Sequence, residues 1–226
     1  MNDVAGGGVD FARYCDHTIL KAFSSRSDVK KVCDEAIRYG AAAVCVNPIH
    51  VAFVRKQLSG TDVKTCTVIG FPLGAGKPLI KAAETFEAIR DGAQEVDMVI
   101  NIGALKDDDA DLVYEDIKAV VDAANGQAVV KVIIETCYLT TAQKVAASRL
   151  CLKAGADFVK TSTGFGTAGA TAEDIALIKS VVGDGMKIKA SGGIATRADA
   201  MAMIDAGADR IGTSRTPEIA AANSAD

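Results

Sequence analysis

The sequence predicts an α/β protein that folds as a single TIM (β/α)8 barrel. Short segments rich in Val and Ile alternate with longer amphipathic segments, which is the pattern of a parallel sheet with helices between its strands. Eight such units fit within 226 residues, a length and count typical of a compact barrel. No Pro-rich, charged or low-complexity linker divides the chain, so we expect one domain over residues 1–226. An open doubly wound sheet is the alternative fold.

Seven strands are predicted from runs of Val and Ile, and they cover residues 42–46, 64–69, 96–100, 129–134, 158–161, 187–190 and 210–212. An eighth, short strand is expected to precede Asp16. Four strands follow a Gly that is placed where a helix needs a left-handed residue at its C-terminal end, namely Gly40, Gly92, Gly155 and Gly207. Residues 1–10 and 220–226 are expected to be loosely ordered.

The composition excludes several classes of protein. Hydrophobic residues make up 49% of the chain and charged residues 24%, with a mean hydropathy of +0.20, which predicts a globular protein with a sizeable core rather than a disordered chain. The 25 Lys and Arg residues against 29 Asp and Glu residues give a net charge of −4, so nucleic acid is not an expected partner.

Targeting and metal signals are also missing from the sequence. The first residues lack the pattern of a signal peptide, and no apolar run reaches about 18 residues, so we expect no membrane association. The six cysteines are scattered without a CxxC pair, which favours reduced thiols and a cytoplasmic location. His17 and His50 are the only histidines, and no HExxH motif is present, so no metal site is predicted.

Charged residues occupy strand positions where a barrel interior should be apolar. Alternate residues of a strand face opposite sides, and in four strands the apolar residues share one side while an ionisable residue falls on the other. These residues are Asp97, Lys131, Lys160 and Lys189. Any one of them could reach solvent from a strand end. Burying all four without a function would be costly, so together they predict a functional site.

Clustered lysines indicate a particular chemistry. An isolated lysine, with a pKa of about 10.4, is neutral in only about one molecule in 2,500 at pH 7 and is a poor nucleophile. A second ammonium group about 5 Å away, at an effective dielectric constant of about 20, lowers that pKa by roughly two, and burial acts in the same direction. We therefore expect an amine that forms a Schiff base with a carbonyl, and a role for Asp97 in moving protons directly or through water.

Glycine-rich turns follow the last three predicted strands, with the sequences TSTGFG, ASGGIAT and GTS. Loops at this end of a barrel often present backbone N–H groups to a phosphate, and glycine allows the anion to approach closely. Gly192, Gly193 and Ser214 are the candidates for phosphate binding, and Arg215 could add a positive charge. The alternative is that each Gly–Gly pair only forms a tight turn.

Seven motifs give the chain a family resemblance, and they are DHT at 16–18, VCVNP at 44–48, VIGFPLG at 68–74, EVDMVINIG at 95–103, VKVIIET at 130–136, DFVKTSTGFG at 157–166 and KASGGI at 189–194. Together they resemble the 2-deoxyribose-5-phosphate aldolase family. The resemblance implies a TIM barrel and a class I aldolase without metal or other cofactor. It also implies reversible cleavage of 2-deoxy-D-ribose 5-phosphate to D-glyceraldehyde 3-phosphate and acetaldehyde, by a homodimer or homotetramer.

The resemblance also implies roles for individual residues. Lys160 would form the Schiff base, Lys189 would tune it and Asp97 would relay protons, and these are three of the four residues that strand alternation selects. Further residues would line the substrate site, namely Asp16, Cys45 and Lys131, and the phosphate site, namely Gly192, Gly193 and Ser214. Two alternatives remain open. Cys45 could be a small buried hydrophobic residue, and Asp16 and Lys131 could form a structural ion pair.

The chain departs from the family pattern at two places, and three other functions are considered beside the one that the resemblance implies. Arg215, Thr216 and Pro217 follow GTS where family members often have Ser or Gly, and the chain ends in NSAD where some members have a tyrosine that assists proton transfer. A Schiff-base aldolase of another phosphorylated sugar, or a non-catalytic phosphosugar-binding barrel, are the alternatives. A metal-dependent aldolase is disfavoured by the scarcity of histidine.

Overall fold

The computed structural model describes residues 9–221 and shows a closed barrel of parallel strands. Each strand pairs with the next along the chain, and the last pairs with the first. The strands are β1 Cys15–Ile19, β2 Ala43–Val46, β3 Lys64–Ile69, β4 Glu95–Val99, β5 Val129–Ile133, β6 Phe158–Lys160, β7 Lys187–Ser191 and β8 Arg210–Thr213. The TIM-barrel prediction is confirmed, and the open sheet is excluded because the barrel closes.

Helices follow the strands around the outside of the barrel. Over the described residues they are α1 Arg26–Tyr39, α2 Val51–Gln57, α3 Pro78–Arg90, α4 Ile102–Lys106, α5 Ala110–Ala124, α6 Thr141–Ala154, α7 Ala172–Val182, α8 Arg197–Asp205 and α9 Thr216–Ala221. Short 3-10 turns cover Phe11–Tyr14, Pro48–His50 and Thr136–Tyr138. Capping boxes at Ser25, Thr140 and Thr196 satisfy the free N–H groups at the starts of α1, α6 and α8.

The expected glycine positions at helix ends are confirmed. Gly40 and Gly155 end α1 and α6 with φ values of 71° and 82°. Gly92 and Gly207 lie one residue beyond the caps of α3 and α8, with φ values of 105° and 111°. A positive φ turns the chain from each helix into the next strand, and glycine adopts it without a steric penalty.

The prediction for the first strand was wrong in its placement. The strand was expected before Asp16, whereas β1 contains Asp16 as its second residue, because the preceding segment Phe11–Tyr14 forms a 3-10 turn. Most of the expected loosely ordered ends, and the tail NSAD, lie outside the described residues. Of the residues expected to be loosely ordered, those that the structure describes are ordered at both ends: Val9 packs against the core, and α9 extends to Ala221.

The two faces of the sheet line two different regions, the core between the sheet and the helices and the interior of the barrel. Residues of one parity, such as Val96 and Val132, pack outward against the helices in the main apolar core. Residues of the other parity point to the barrel axis, where one side is an apolar cluster of Leu20, Ala43, Cys45, Cys66 and Val68. Charged side chains of β1 and β4 to β8 also point to the axis. Among residues 9–221, no helix combines the length and apolarity needed to cross a membrane.

Candidate active site

The four ionisable residues selected by strand alternation all point into the barrel. They lie on the consecutive strands β4 to β7, where Asp97 is in register with Lys131, and Lys160 is in register with Lys189. Asp97, Lys131 and Lys189 have side chains with no exposed surface, and the Lys160 side chain is 4% exposed. The structure therefore brings together all four residues in one sealed interior.

Asp97 lies at the centre of the lysines. Its Oδ1 accepts a hydrogen bond from Lys131 Nζ at 2.9 Å, and its Oδ2 accepts from both Lys160 Nζ and Lys189 Nζ at 2.7 Å. Because these two nitrogens share one oxygen, they are separated by at most twice that distance. Lys160 is the last residue of β6, so its amine lies at the C-terminal end of the barrel, where the connecting loops form the mouth.

Asp16 is bound by three cations rather than by one. Its Oδ2 accepts from Lys189 Nζ and lies 3.4 Å from Lys131 Nζ, and its Oδ1 accepts from Arg210 Nη1 at 2.6 Å. The ion pair between Asp16 and Lys131, one of the two alternatives left open by the sequence, is therefore present. It is continuous with the Lys189 and Asp97 contacts, so a structural role and a place beside the candidate site are compatible.

Sequence reasoning missed two members of this network. Glu95 binds Lys131 Nζ at 2.5 Å and Arg210 Nη1 at 3.0 Å, and both Glu95 and Arg210 are the first residues of their strands. Strand alternation would have found them, because Glu95 has the parity of Asp97, and Arg210 has the parity opposite to the outward-facing Ile211.

The carboxylates reverse the expected effect of burial on two of the lysines. Burial alone lowers the pKa of Lys189, but Asp16 and Asp97 more than offset it, and the pKa lies above its usual value. The same balance raises the pKa of Lys131. Burial acts to raise the pKa of Asp97, yet the three neighbouring lysines hold it well below its usual value. Lys131 and Lys189 therefore remain protonated. This corrects the expectation from the sequence, which considered only the repulsion between lysines and their burial and not the carboxylates that bind them.

These pKa shifts predict a loss of stability in acid. The pKa values of Asp16 and Asp97 are lowered by the fold, so both groups stabilise the folded state above the unfolded pKa of about 3.9 and lose this effect as pH falls through their folded values. We expect the midpoint of urea unfolding to decrease below about pH 4. Asp16→Asn should weaken this decrease, and an unchanged pH dependence in that variant would contradict the assignment.

Cys45 lies in the apolar part of the interior, beside Cys66 on the neighbouring strand. Both thiols are fully buried, and Cys66 Sγ lies 3.3 Å from Asp97 Oδ1 and 3.4 Å from Lys131 Nζ. Burial raises the pKa of the Cys66 thiol. The small-hydrophobe interpretation of Cys45 is thus compatible with a position bordering the lysines. Cys45, Cys66 and Asp97 are close enough to hold a metal ion, but both Asp97 oxygens already accept hydrogen bonds from ammonium groups.

The phosphate candidates lie on neighbouring loops at the same end of the barrel as Lys160. Gly192 and Gly193 follow β7 with φ values of 83° and 78°, and Ser214 follows β8. Gly193 and Ser214 are exposed, and no atom lies within 4 Å of where a Gly193 side chain would begin. The Arg215 guanidinium pairs with Glu218 Oε1 at 2.8 Å, so its charge is directed to α9 rather than to these glycines.

Glu135 is a further buried residue that sequence reasoning missed. It lies two residues after the end of β5 with a positive φ of 54°, and only 2% of its surface is exposed. Its carboxylate accepts hydrogen bonds from the backbone N–H of Thr163, at 3.1 Å, and from the Thr163 hydroxyl. These contacts fix the TSTGFG loop that follows Lys160. A strained backbone at a non-glycine residue persists only where the surroundings impose it.

A comparison with family models matches residues 11–215 to the DeoC/LacD family aldolases. The chain is 60% identical over 205 residues to the deoxyribose-phosphate aldolase of Geobacillus sp. (strain WCH70), and the match covers 91% of this chain and 92% of that protein. It is 58% identical over 211 residues to the deoxyribose-phosphate aldolase of Bacillus cereus (strain B4264), covering 93% and 95% respectively.

The fold is also similar to a solved structure of deoxyribose phosphate aldolase from Aeropyrum pernix, which is described as a unique tetramer. The TM-score is 0.88 at 32% sequence identity, and the match covers 94% of this chain and 90% of that one. The similarity in sequence and in structure thus extends over the whole barrel, including the strands that carry the charged interior.

Proposed function

Because the chain belongs to the DeoC/LacD aldolase family, we propose that it reversibly cleaves 2-deoxy-D-ribose 5-phosphate to D-glyceraldehyde 3-phosphate and acetaldehyde. It is a lyase that breaks a carbon–carbon bond. The observation that carries the proposal is Lys160, a lysine at the mouth of the barrel that shares one Asp97 oxygen with a second ammonium group. This arrangement suits an amine that attacks an aldehyde.

The reaction begins at the Lys160 amine. The neutral nitrogen attacks the aldehyde carbon of the open-chain sugar to form a carbinolamine, which loses water to give an iminium ion. The bond between the second and third carbons then breaks, and its electron pair forms an enamine while the sugar hydroxyl loses its proton to become the new aldehyde. Protonation of the enamine carbon and hydrolysis release acetaldehyde and the free amine.

Asp97 and Lys189 are placed to handle the protons of these steps. The Asp97 carboxylate binds both amines through one oxygen, so it orients Lys160 and connects it to Lys189. Since their pKa shifts keep Asp97 as an anion and Lys189 as a cation, we propose that a water between them and the substrate carries the mobile proton. Lys131 and Asp16 hold this pair in position from the next layer of the interior.

Borohydride trapping tests the proposal. In the presence of acetaldehyde, reduction should attach one ethyl group to Lys160, detected by intact mass and peptide mapping. A folded protein that binds deoxyribose 5-phosphate but forms no adduct would instead be a non-catalytic phosphosugar-binding barrel. A Schiff-base aldolase of another phosphorylated sugar would form the adduct with dihydroxyacetone in preference to acetaldehyde.

The phosphate site is proposed on the loops that carry Gly192, Gly193 and Ser214. Gly193→Ala places a methyl group where the anion would approach, so we expect kcat/KM for the phosphorylated sugar to fall at least about ten-fold, relative to unphosphorylated 2-deoxyribose. Gly40→Ala is the matched control, since Gly40 also has a positive φ and open space around it but ends α1. Equal effects of the two substitutions on both sugars would rule out this site.

We further propose that the reaction needs no metal or other cofactor, because Asp97 binds ammonium groups that supply the charges. Activity should survive dialysis against EDTA.

The similarity to a tetrameric aldolase supports a homo-oligomer, either a dimer or a tetramer, which light scattering would distinguish. All six cysteines are free thiols, which supports a location in the reducing cytoplasm.

A further inference from the structure

The charges inside the barrel form one connected network that continues beyond Lys160 to the opposite, N-terminal end. Its carboxylates are Asp16, Glu95 and Asp97, and its cations are Lys131, Lys160, Lys189 and Arg210. The remaining two strands contribute the thiols Cys45 and Cys66. Each strand of the barrel thus adds a charged or thiol side chain to the axis, which is unusual because the layers of such barrels are mostly apolar.

The network has one cation more than it has carboxylates. With both thiols counted as neutral, the described interior holds four cations against three anions. An unbalanced charge is unfavourable in a largely buried interior of low dielectric constant, so the network is stabilised by the loss of one proton. Arginine does not release a proton in proteins, and the contacts of Arg210 with Asp16 and Glu95 raise its pKa further.

The ion pairs indicate which cation is in surplus. Lys131 lies within ion-pair distance of three carboxylates and Lys189 of two. Within the part of the chain that the structure describes, Lys160 contacts Asp97 alone and shares that oxygen with Lys189. Lys160 is therefore the least compensated of the three lysines.

We propose that Arg210 and Glu95 are positioning residues of the reaction, and that the Arg210 charge at the far end of the barrel makes Lys160 the surplus cation. This inference rests on the proposed role of Lys160 in forming the Schiff base. The three lysines alone would balance the three carboxylates, and Lys160 would keep its proton. Arg210 adds the fourth positive charge and favours the neutral amine, while Glu95 offsets part of this effect.

The position of Arg210 shows that it acts at a distance. Arg210 begins β8 and Glu95 begins β4, on opposite sides of the barrel, so their contact crosses the axis at the end remote from the mouth. The guanidinium lies over the ring of Phe158 at 5.6 Å, and the exposed Lys187 lies 5.7 Å from the same ring. Neither residue of the pair is placed to touch a substrate bound at Lys160.

The test compares the pH at which the Lys160 adduct forms half-maximally, by borohydride trapping with acetaldehyde, in variants of this pair. Arg210→Gln removes a positive charge and should raise this pH by about one, whereas Glu95→Gln removes a negative charge and should lower it by about one. The double variant should return close to the original value. Arg210→Lys keeps the charge without the guanidinium geometry, so its midpoint should stay near that of the original protein.

Opposite shifts of this pH midpoint in the two single variants are the decisive result. If the pair were merely structural, the midpoint would shift in the same direction in both variants or in neither. Equal or like-signed shifts in folded variants would overturn the inference. Should Arg210→Gln not fold, a lower midpoint in Glu95→Gln than in the double variant supports the inference, and equal midpoints overturn it. If the unsubstituted protein forms no adduct on Lys160, the proposed function itself fails, and this inference fails with it.

Discussion

Lys160→Met is expected to reduce kcat by about 10⁴-fold or more and to abolish the borohydride adduct. Methionine nearly preserves the length and shape of the side chain, so the interior should remain filled, but no nitrogen is left to bond to the aldehyde. The variant also removes the least compensated cation of the network, and Asp97 keeps its contacts with Lys131 and Lys189. We therefore expect the folded state to survive, as measured by circular dichroism and urea unfolding.

Lys64→Met is the control for this experiment. Lys64 is the first residue of β3 and is exposed, so the same chemical change occurs on a barrel strand but at the end of the barrel opposite to the mouth where the Lys160 amine lies. It should leave kcat and the adduct unchanged. Substantial aldolase activity in Lys160→Met, or an adduct that maps to another lysine in the unsubstituted protein, would show that Lys160 is not the reacting amine.

Asp97→Asn is expected to reduce both activity and stability. The amide cannot neutralise the three ammonium groups that the carboxylate binds at 2.7 to 2.9 Å. Leaving buried charges without their partner typically costs about 3–5 kcal/mol in the free energy of unfolding. Loss of the group that orients the amine and the proposed proton-carrying water should reduce kcat by about 10²- to 10⁴-fold. Steady-state kinetics and urea unfolding would measure the two effects.

Asp116→Asn provides a matched control, because Asp116 is also a fully buried aspartate bound to a lysine. It accepts from Lys81 Nζ at 2.6 Å and from the backbone of Asn101, and it lies on α5, outside the barrel interior. We expect a comparable loss of stability with a much smaller effect on kcat. If the two variants lose activity in equal proportion to their stability, Asp97 has a structural role only.

The periodicity of this sequence carries most of the information about the site. The apolar residues of EVDMV and VVKVI fix which side of β4 and β5 faces the helices, so Asp97 and Lys131 must face the axis once the sheet closes. The same rule applied to the first residue of each strand would have selected Glu95 and Arg210. The rule says which way a side chain points, but it gives neither its partner nor its distance from that partner.

The placement of Asp16 shows where local patterns fail. A charged residue next to a short apolar segment favours a strand that ends before it, yet Asp16 lies inside β1 because Lys131, Lys189 and Arg210 neutralise it there. These partners come from 115 to 194 positions further along the chain, as far as β8. No local propensity encodes contacts between residues so distant in sequence.

The sequence by itself determined the eight-stranded barrel, the inward direction of its charged residues and the family to which the chain belongs, because period-two patterns and contiguous motifs are local properties. Only the tertiary structure decided how those charges compensate one another. Closure of the barrel brings β4 and β8 face to face, so that Glu95 meets Arg210 and one positive charge remains in excess. The pKa of a buried group depends on all the charges around it, and those are fixed by the fold rather than by neighbouring residues.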